Sequence, residues 1–201
     1  MPDNPGGAPS RKQLRRELRR RRRALSPRER NALAHDLSRR VLAHRLFLSA
    51  DRIACYLAND GEMDLAPLMS RMWSMGKRPY LPILHGPKLW FLPLTPETRL
   101  ADNRFGIAEP DGDASARCPV NALNLVLMPL VGFDSKGNRL GMGGGFYDRT
   151  FAYLRHRNNW KKPDLIGVAY EFQRLEQLQA QAWDVPLSGV ATERGLRLFN
   201  R

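Results

Sequence analysis

The stretch "LNLVLMPLVGFDSKGNRLGMGGGFYDR", residues 123–149, carries the strongest strand signal in the chain. An apolar run bounded by turn residues, 123–133, suits a strand buried on both faces of a sheet. It leads into a turn that places four glycines in five positions, Gly141, Gly143, Gly144 and Gly145, and residues 146–155 then read as a helix. Strand, glycine turn and helix in that order predict an α/β fold with a mostly parallel sheet, where ligands bind beyond the carboxyl ends of the strands.

The segments on either side repeat the pattern. "RIACYLA" (52–58) reads as a strand, "NDGEMD" (59–64) as a polar turn, and Leu65, Leu68, Met69, Met72 and Trp73 as a helical stripe ending at Gly76. "RPYLPIL" (78–84) and "KLWFLPL" (88–94) read as strands, paired antiparallel across "HGP"; "DLIGVAY" (164–170) and "SGVATE" (188–193) close the series. Upstream, a first helix is expected from Ser10 to Leu25 on Leu14, Leu18 and Leu25. A second starts at "SPRE" (26–29), with Ser26 as cap, Pro27 in the first turn and Glu29 completing a capping box, and it buries Leu33, Leu37 and Val41. Residues 1–9 are expected to be a disordered tail and residues 10–201 a single domain.

The net charge of +13 raises the question of nucleic acid. It is local: residues 1–45 hold 14 Lys/Arg against 4 Asp/Glu, and residues 46–201 hold 19 against 16. Arg11 and Arg15 flank the apolar stripe of the first helix and point toward a neighbouring cleft, while Arg19 to Arg23 are expected to face solvent. The competing reading, a nucleic-acid-binding protein using residues 11–45, lacks interleaved aromatics. No apolar run approaches the length of a membrane span, and no secretory leader is evident, so a cytoplasmic location is expected. Cys55 and Cys118 stand alone and read as buried, and His35, His44, His85 and His156 show no metal-ligand spacing.

Taken alone, the site residues leave alternatives open. The glycine turn is either a phosphate cradle or an unliganded tight turn, and its spacing matches neither the dinucleotide fingerprint nor the P-loop. Asp148 either holds Mg²⁺ or complements a helix dipole; Tyr147 stacks on a ring or packs in the core; Arg139 pairs with phosphate or is solvated.

The ordered series "RKQLRREL", "LANDGEMD", "GKRPYLPIL", "NRFGIAEP", the glycine motif and "WDVPLSGVAT" resembles the 5-formyltetrahydrofolate cyclo-ligase family over nearly the whole chain from Ser10. The resemblance implies a three-layer α/β/α fold of ribose-phosphate-isomerase/CoA-transferase-like architecture, with the N-terminal helices on its flank. It also implies ATP and Mg²⁺ as cofactors and 5-formyltetrahydrofolate as substrate, with or without a polyglutamate tail. A monomer without membrane or specific nucleic-acid partners is expected. Carried over by position, Arg11, Arg15, Arg139, Gly141, Gly143, Gly144, Gly145, Phe146 and Tyr147 would bind the nucleotide. Leu57, Glu62, Phe105 and Met142, with Gly143, Gly144, Gly145 and Phe146, would bind the folate; Asp148 and Asp184 would hold the metal. Arg139, Tyr147 and Asp148 are the residues implied in catalysis. The formyl oxygen would be phosphorylated, after which nitrogen 10 closes the ring and phosphate departs.

Overall fold

A computed structural model of the chain describes residues 9–156 and 162–199. The expected tail, apart from Pro9, lies outside these residues.

Both N-terminal helices begin where their caps place them. Ser10 and Gln13 form a capping box on α1 (Arg11–Ala24), and Ser26 and Glu29 form one on α2 (Pro27–Leu42). Each box satisfies amide groups that the first helical turn leaves unpaired, worth roughly 1 kcal/mol per cap. The short α3 (Arg45–Leu48) leads into β1 (Arg52–Ala54), and α4 (Ala66–Ser74) follows. The β2 (Arg78–His85) and β3 (Lys88–Pro93) hairpin is as expected. A small hairpin, β4 (Leu100–Asp102) with β5 (Ala108–Pro110), precedes β6 (Leu125–Pro129). A second small hairpin, β7 (Gly132–Phe133) with β8 (Arg139–Leu140), leads to α5 (Phe146–Thr150), then β9 (Asp164–Val168), β10 (Gly189–Thr192) and β11 (Gly195–Leu198).

The main sheet has the order β11-β10-β9-β6-β1-β2-β3. Its five central strands run parallel, and the antiparallel β3 and β11 close its edges. Strand β6 lies at the centre, and its alternation divides the core: Leu125 and Leu127 face one buried cluster, Val126 and Met128 the other. Leu37 and Val41 of α2 and Leu68 and Met72 of α4 cover the first face. Phe151 and Leu154, after α5, pack against the second. The layers are therefore helix, sheet, helix. Leu37 and Leu68 are fully buried, so truncating either to alanine costs ~2–5 kcal/mol. Helix α1 lies apart, with Leu18 packed among Val131, Leu140 and Leu178 at the carboxyl end of the sheet.

Three expectations are corrected, the first being the strand over 52–58, which is limited to Arg52–Ala54. The run 123–133 is not one strand: β6 ends at Pro129, where the buried Gln173 side chain donates to the Leu130 and Val131 carbonyls, at 3.0 and 2.8 Å, in place of a neighbouring strand. The β7–β8 hairpin then separates the sheet from the glycine turn. The helix expected over 146–155 stops after Thr150, whose hydroxyl donates to the Phe146 carbonyl at 2.7 Å, and 152–156 continue as a 3₁₀ turn. Among the described residues no helix is long and apolar enough to cross a membrane.

Candidate functional site

After β1 the chain moves outward through β2 to β3, and it returns to β6 on the other side of β1. The strand order therefore reverses between β1 and β6, and loops leaving their carboxyl ends diverge to open a crevice. A cleft of about 800 Å³ lies there. Its walls come from α1, the loop after β1, the β4–β5 hairpin, the glycine turn and residues 181–184. All the site residues named from the sequence line it, brought together from segments as distant as Arg11 and Asp184.

The basic wall is made by α1. Arg11 donates to the carbonyls of Gln179 (2.8 Å) and Arg139 (3.4 Å), and its guanidinium lies 3.8 Å from Asp184. Arg15, one turn on, donates through Nε to the Gly141 carbonyl at 2.8 Å. Burial and the like charge of Arg11 push the Arg15 guanidinium below its ordinary range, against the pull of Asp184. An arginine stays protonated under such pressure, so two cations share one nearby carboxylate and favour an anion between them.

Arg139 differs from the solvated reading. It is 6% exposed and its fork is engaged by the Val185 carbonyl and the Asp148 carboxylate. Oδ1 of Asp148 also accepts from the Val185 amide at 3.1 Å. Among the described residues, Oδ2 takes no hydrogen bond. Asp184 accepts the Gln181 amide at 3.0 Å. No group of three or more His, Cys, Asp or Glu is clustered among the described residues. Two carboxylates fit a magnesium ion, which keeps much of its coordination for water and phosphate oxygens.

In the glycine turn, Gly143 (φ 107°) and Gly145 (φ 65°) occupy backbone conformations that side chains disfavour. Arg149 fastens this turn, donating to the carbonyls of Gly144 (2.5 Å) and Pro87 (2.7 Å). Helix α5 has only five residues, so its dipole adds little, and the arginines supply most of the positive field. Phe146 meets Phe105 of the β4–β5 hairpin edge to face, with ring centroids 6.3 Å apart. Phe105 and Met142 are exposed at the rim. Tyr147 reaches the cleft yet stacks on Phe151 at 6.4 Å, and burial, reinforced by Glu62, drives its phenol well above the ordinary range.

The loop after β1 brings Leu57 and Glu62 to the cleft. Glu62 accepts the Asn59 amide at 3.2 Å and lies 3.5 Å from Arg22, and burial raises its carboxyl above the ordinary range while Arg22 opposes the shift.

Here the solvent expectation for Arg19 to Arg23 is corrected in part. Arg20, Arg21 and Arg23 are exposed, but Arg22 is fully buried and Arg19 lines the cleft. Arg19 and Arg22 both bond Asp60, at 2.7 and 2.8 Å. The spacing 11-15-19-22 follows one helical stripe, a signal present in the sequence but hidden by the run of five arginines. Sequence reasoning also passed over Tyr56, Asp60, Glu109 and Trp183, all on the wall. Trp183 stands beside Asp184 in "WDVP", and Glu109 lies in "NRFGIAEP", four residues after Phe105.

A profile of the 5-formyltetrahydrofolate cyclo-ligase family matches residues 8–193. The chain is 39% identical over 178 residues to the 5-formyltetrahydrofolate cyclo-ligase of Escherichia coli K12, covering 87% of this chain and 96% of that protein. It is 29% identical over 189 residues to the Mus musculus protein of the same name, covering 90% and 92%. The solved structure of Aquifex aeolicus 5,10-methenyltetrahydrofolate synthetase superposes with a TM-score of 0.81 at 30% identity, covering 95% of this chain and 93% of that one. With a match that runs through the basic helix, the cleft loops and the glycine turn alike, the chain belongs to the 5-formyltetrahydrofolate cyclo-ligase family.

Proposed function

We propose that this enzyme converts 5-formyltetrahydrofolate to 5,10-methenyltetrahydrofolate with consumption of ATP in the presence of Mg²⁺. The observation that carries the proposal is the cleft at the switch point, which is lined by the arginines of α1, the glycine turn and the part-buried Glu62 carboxylate. One side suits a polyphosphate and the other suits the N–H groups of a pterin ring.

Arg11 and Arg15 bind the phosphates, and the turn Gly141 to Gly145 brings its backbone against the nucleotide and the formyl group without intervening side chains. Asp148 and Asp184 would hold the metal, and Arg139 fixes the direction of Asp148. When bound, Mg²⁺-ATP supplies the phosphoryl group that makes the formyl oxygen a leaving group and the cation that screens its charge. Tyr147 stays protonated and acts as a hydrogen-bond donor, not a base, toward the oxygen that gains charge. Glu62 accepts from the pterin, while Leu57, Phe105, Met142 and Phe146 enclose the ring and exclude water. Nitrogen 10 of the folate then attacks the formyl carbon and gives up its proton to water, and phosphate leaves with the former formyl oxygen. The protein's part is positioning and charge compensation, as in other phosphoryl transfers.

Mixing the protein with 5-formyltetrahydrofolate, Mg²⁺ and ATP should produce the methenyl chromophore only when all three are present. Folded protein that gives no ATP-dependent absorbance rules the proposal out. The nucleic-acid reading of residues 11–45 loses ground because Arg19, Arg22 and Arg23 surround Asp60 and Arg20 pairs with Glu17.

A further inference from the structure

Arg22 has no place in the reaction described above, yet it is the largest fully buried side chain of the described residues. Its Nε donates to the Asp60 carbonyl (2.8 Å), one terminal nitrogen reaches the Asp60 carboxylate (2.8 Å) and Glu62 (3.5 Å), and the other has no hydrogen-bond partner. A buried guanidinium with an unpaired nitrogen lowers stability, which asks for a reason.

The loop around it is shaped to meet it. Asp60 is the non-glycine residue with positive φ (51°) among the described residues, and Gly61 (φ 74°) lies so close to α1 that a Cβ there would stand 3.0 Å from the Arg22 carbonyl oxygen. Arg19 and Arg23 add two further guanidinium groups to Asp60, at 2.7 and 3.5 Å. The result is a clamp between α1 and the loop that presents Glu62 to the cleft.

We infer that Arg22 and Asp60 form a positioning pair for Glu62, in which Arg22 fixes the negative charge and direction of the carboxylate that receives the folate's pterin N–H groups. The inference rests on the functional reading above and adds to it a residue that does not line the cleft. Around Glu62 stand Arg22 and Arg19 from α1, Asp60 and Asn59 from its own loop, Tyr56 after β1, Tyr147 of α5 and Tyr170 after β9, whose hydroxyl donates to the Glu62 carbonyl at 3.3 Å. Arg22 is the cation nearest the Glu62 carboxylate, and Asp60 competes for it. The two partners therefore act on Glu62 with opposite signs.

The test uses two readouts on the full chain: the ¹³C titration of the Glu62 carboxyl, which needs no ligand, and equilibrium binding of 5-formyltetrahydrofolate. In Arg22→Gln the midpoint should move up; in Asp60→Asn, which keeps the side-chain shape, it should move down. Arg22→Lys restores the charge and should hold the midpoint near that of the parent. Folate binding by Arg22→Gln should weaken roughly tenfold or more below that variant's raised Glu62 midpoint, recover as the pH passes the midpoint and Glu62 ionises, and leave ATP affinity within about twofold. Midpoints that do not move in opposite senses overturn the pairing, whether or not folate binds. Shifted midpoints with unchanged folate affinity overturn the role in recognition. Parent protein that binds no folate overturns the functional reading instead, and the midpoints then still decide the pairing. Should Arg22→Gln fail to fold, the downward shift in Asp60→Asn decides it.

Discussion

At the residue scale, Asp148 has two attachments on one oxygen, the Arg139 guanidinium and the Val185 amide, and this separates its structural part from its chemical one. Asp148→Asn keeps the shape and an acceptor but removes the charge opposite a buried arginine. A loss of roughly 1–3 kcal/mol in denaturant melts is expected. Turnover should fall far more than that loss explains, with the Mg²⁺ requirement raised and the apparent KM for folate little changed. Turnover near the parental rate at ordinary Mg²⁺ would remove Asp148 from the metal. Glu62 gives a prediction of opposite sign for stability. Its carboxyl is raised by burial, so its ionised form is less comfortable in the folded protein than in the unfolded chain. Below the ordinary carboxylate range both states are protonated and the group contributes nothing; as pH rises toward the folded value, the parent loses stability and then levels off. Glu62→Gln, always neutral, should therefore melt higher than the parent at neutral pH, converge with it in acid, and bind folate more weakly. Equal melting temperatures across that range would show that Glu62 carries no such penalty.

At the scale of elements, the β4–β5 hairpin that lines the cleft is tied to β2 through the Glu109 side chain. Oε1 of Glu109 accepts from the Leu84 amide at 3.1 Å and from the Asn103 side chain at 2.6 Å, joining the hairpin to β2 and stiffening the turn that carries Phe105. Glu109→Ala should cost about 1–2 kcal/mol, speed amide exchange across residues 100–110 and raise the KM for folate more than that for ATP. Exchange unchanged from the parent would mean that packing alone holds the hairpin. No strand pattern announces this element: "RLADNRFGIAEP" contains a family motif but has no clean alternation, and the anchoring contact is fixed only by the tertiary fold. By contrast α2 is legible because Ser26, Pro27 and Glu29 are local instructions, and the sheet is legible because apolar runs of strand length recur. The single-strand reading of 123–133 fails at Pro129 because Gln173, 44 residues beyond, takes over the carbonyls. The cleft residues named from the sequence are legible through the family motifs, whereas Tyr56, Asp60, Glu109 and Trp183 are not singled out by them. The inward turn of Arg19 and Arg22 is not legible, because it depends on Asp60 reaching α1 from another part of the chain.

At the scale of the whole molecule, the cleft joins parts held to one another largely by polar contacts of α1. Helix α1 packs through the small Leu18 cluster rather than the main core, and its arginines reach the glycine turn at one end and Asp60 at the other. A ligand lying across the cleft therefore adds contacts between α1 and the sheet loops, and it stabilises the folded state by RT ln(1 + [L]/Kd). At a hundredfold excess over Kd this is about 2.7 kcal/mol, which for a chain of this size raises the melting temperature by roughly 5–10 °C. Mg²⁺ with a non-hydrolysable ATP analogue and 5-formyltetrahydrofolate should each produce such a shift. Arg15→Gln separates the two, since Arg15 bonds the Gly141 carbonyl whereas Glu62 is held by the Asn59 amide and Arg22. The variant should lose most of the nucleotide shift and keep the folate shift at saturating ligand. Loss of both in equal measure would mean that Arg15 holds the cleft together rather than binding phosphate, and the division of the cleft into a nucleotide side and a folate side would fall with it.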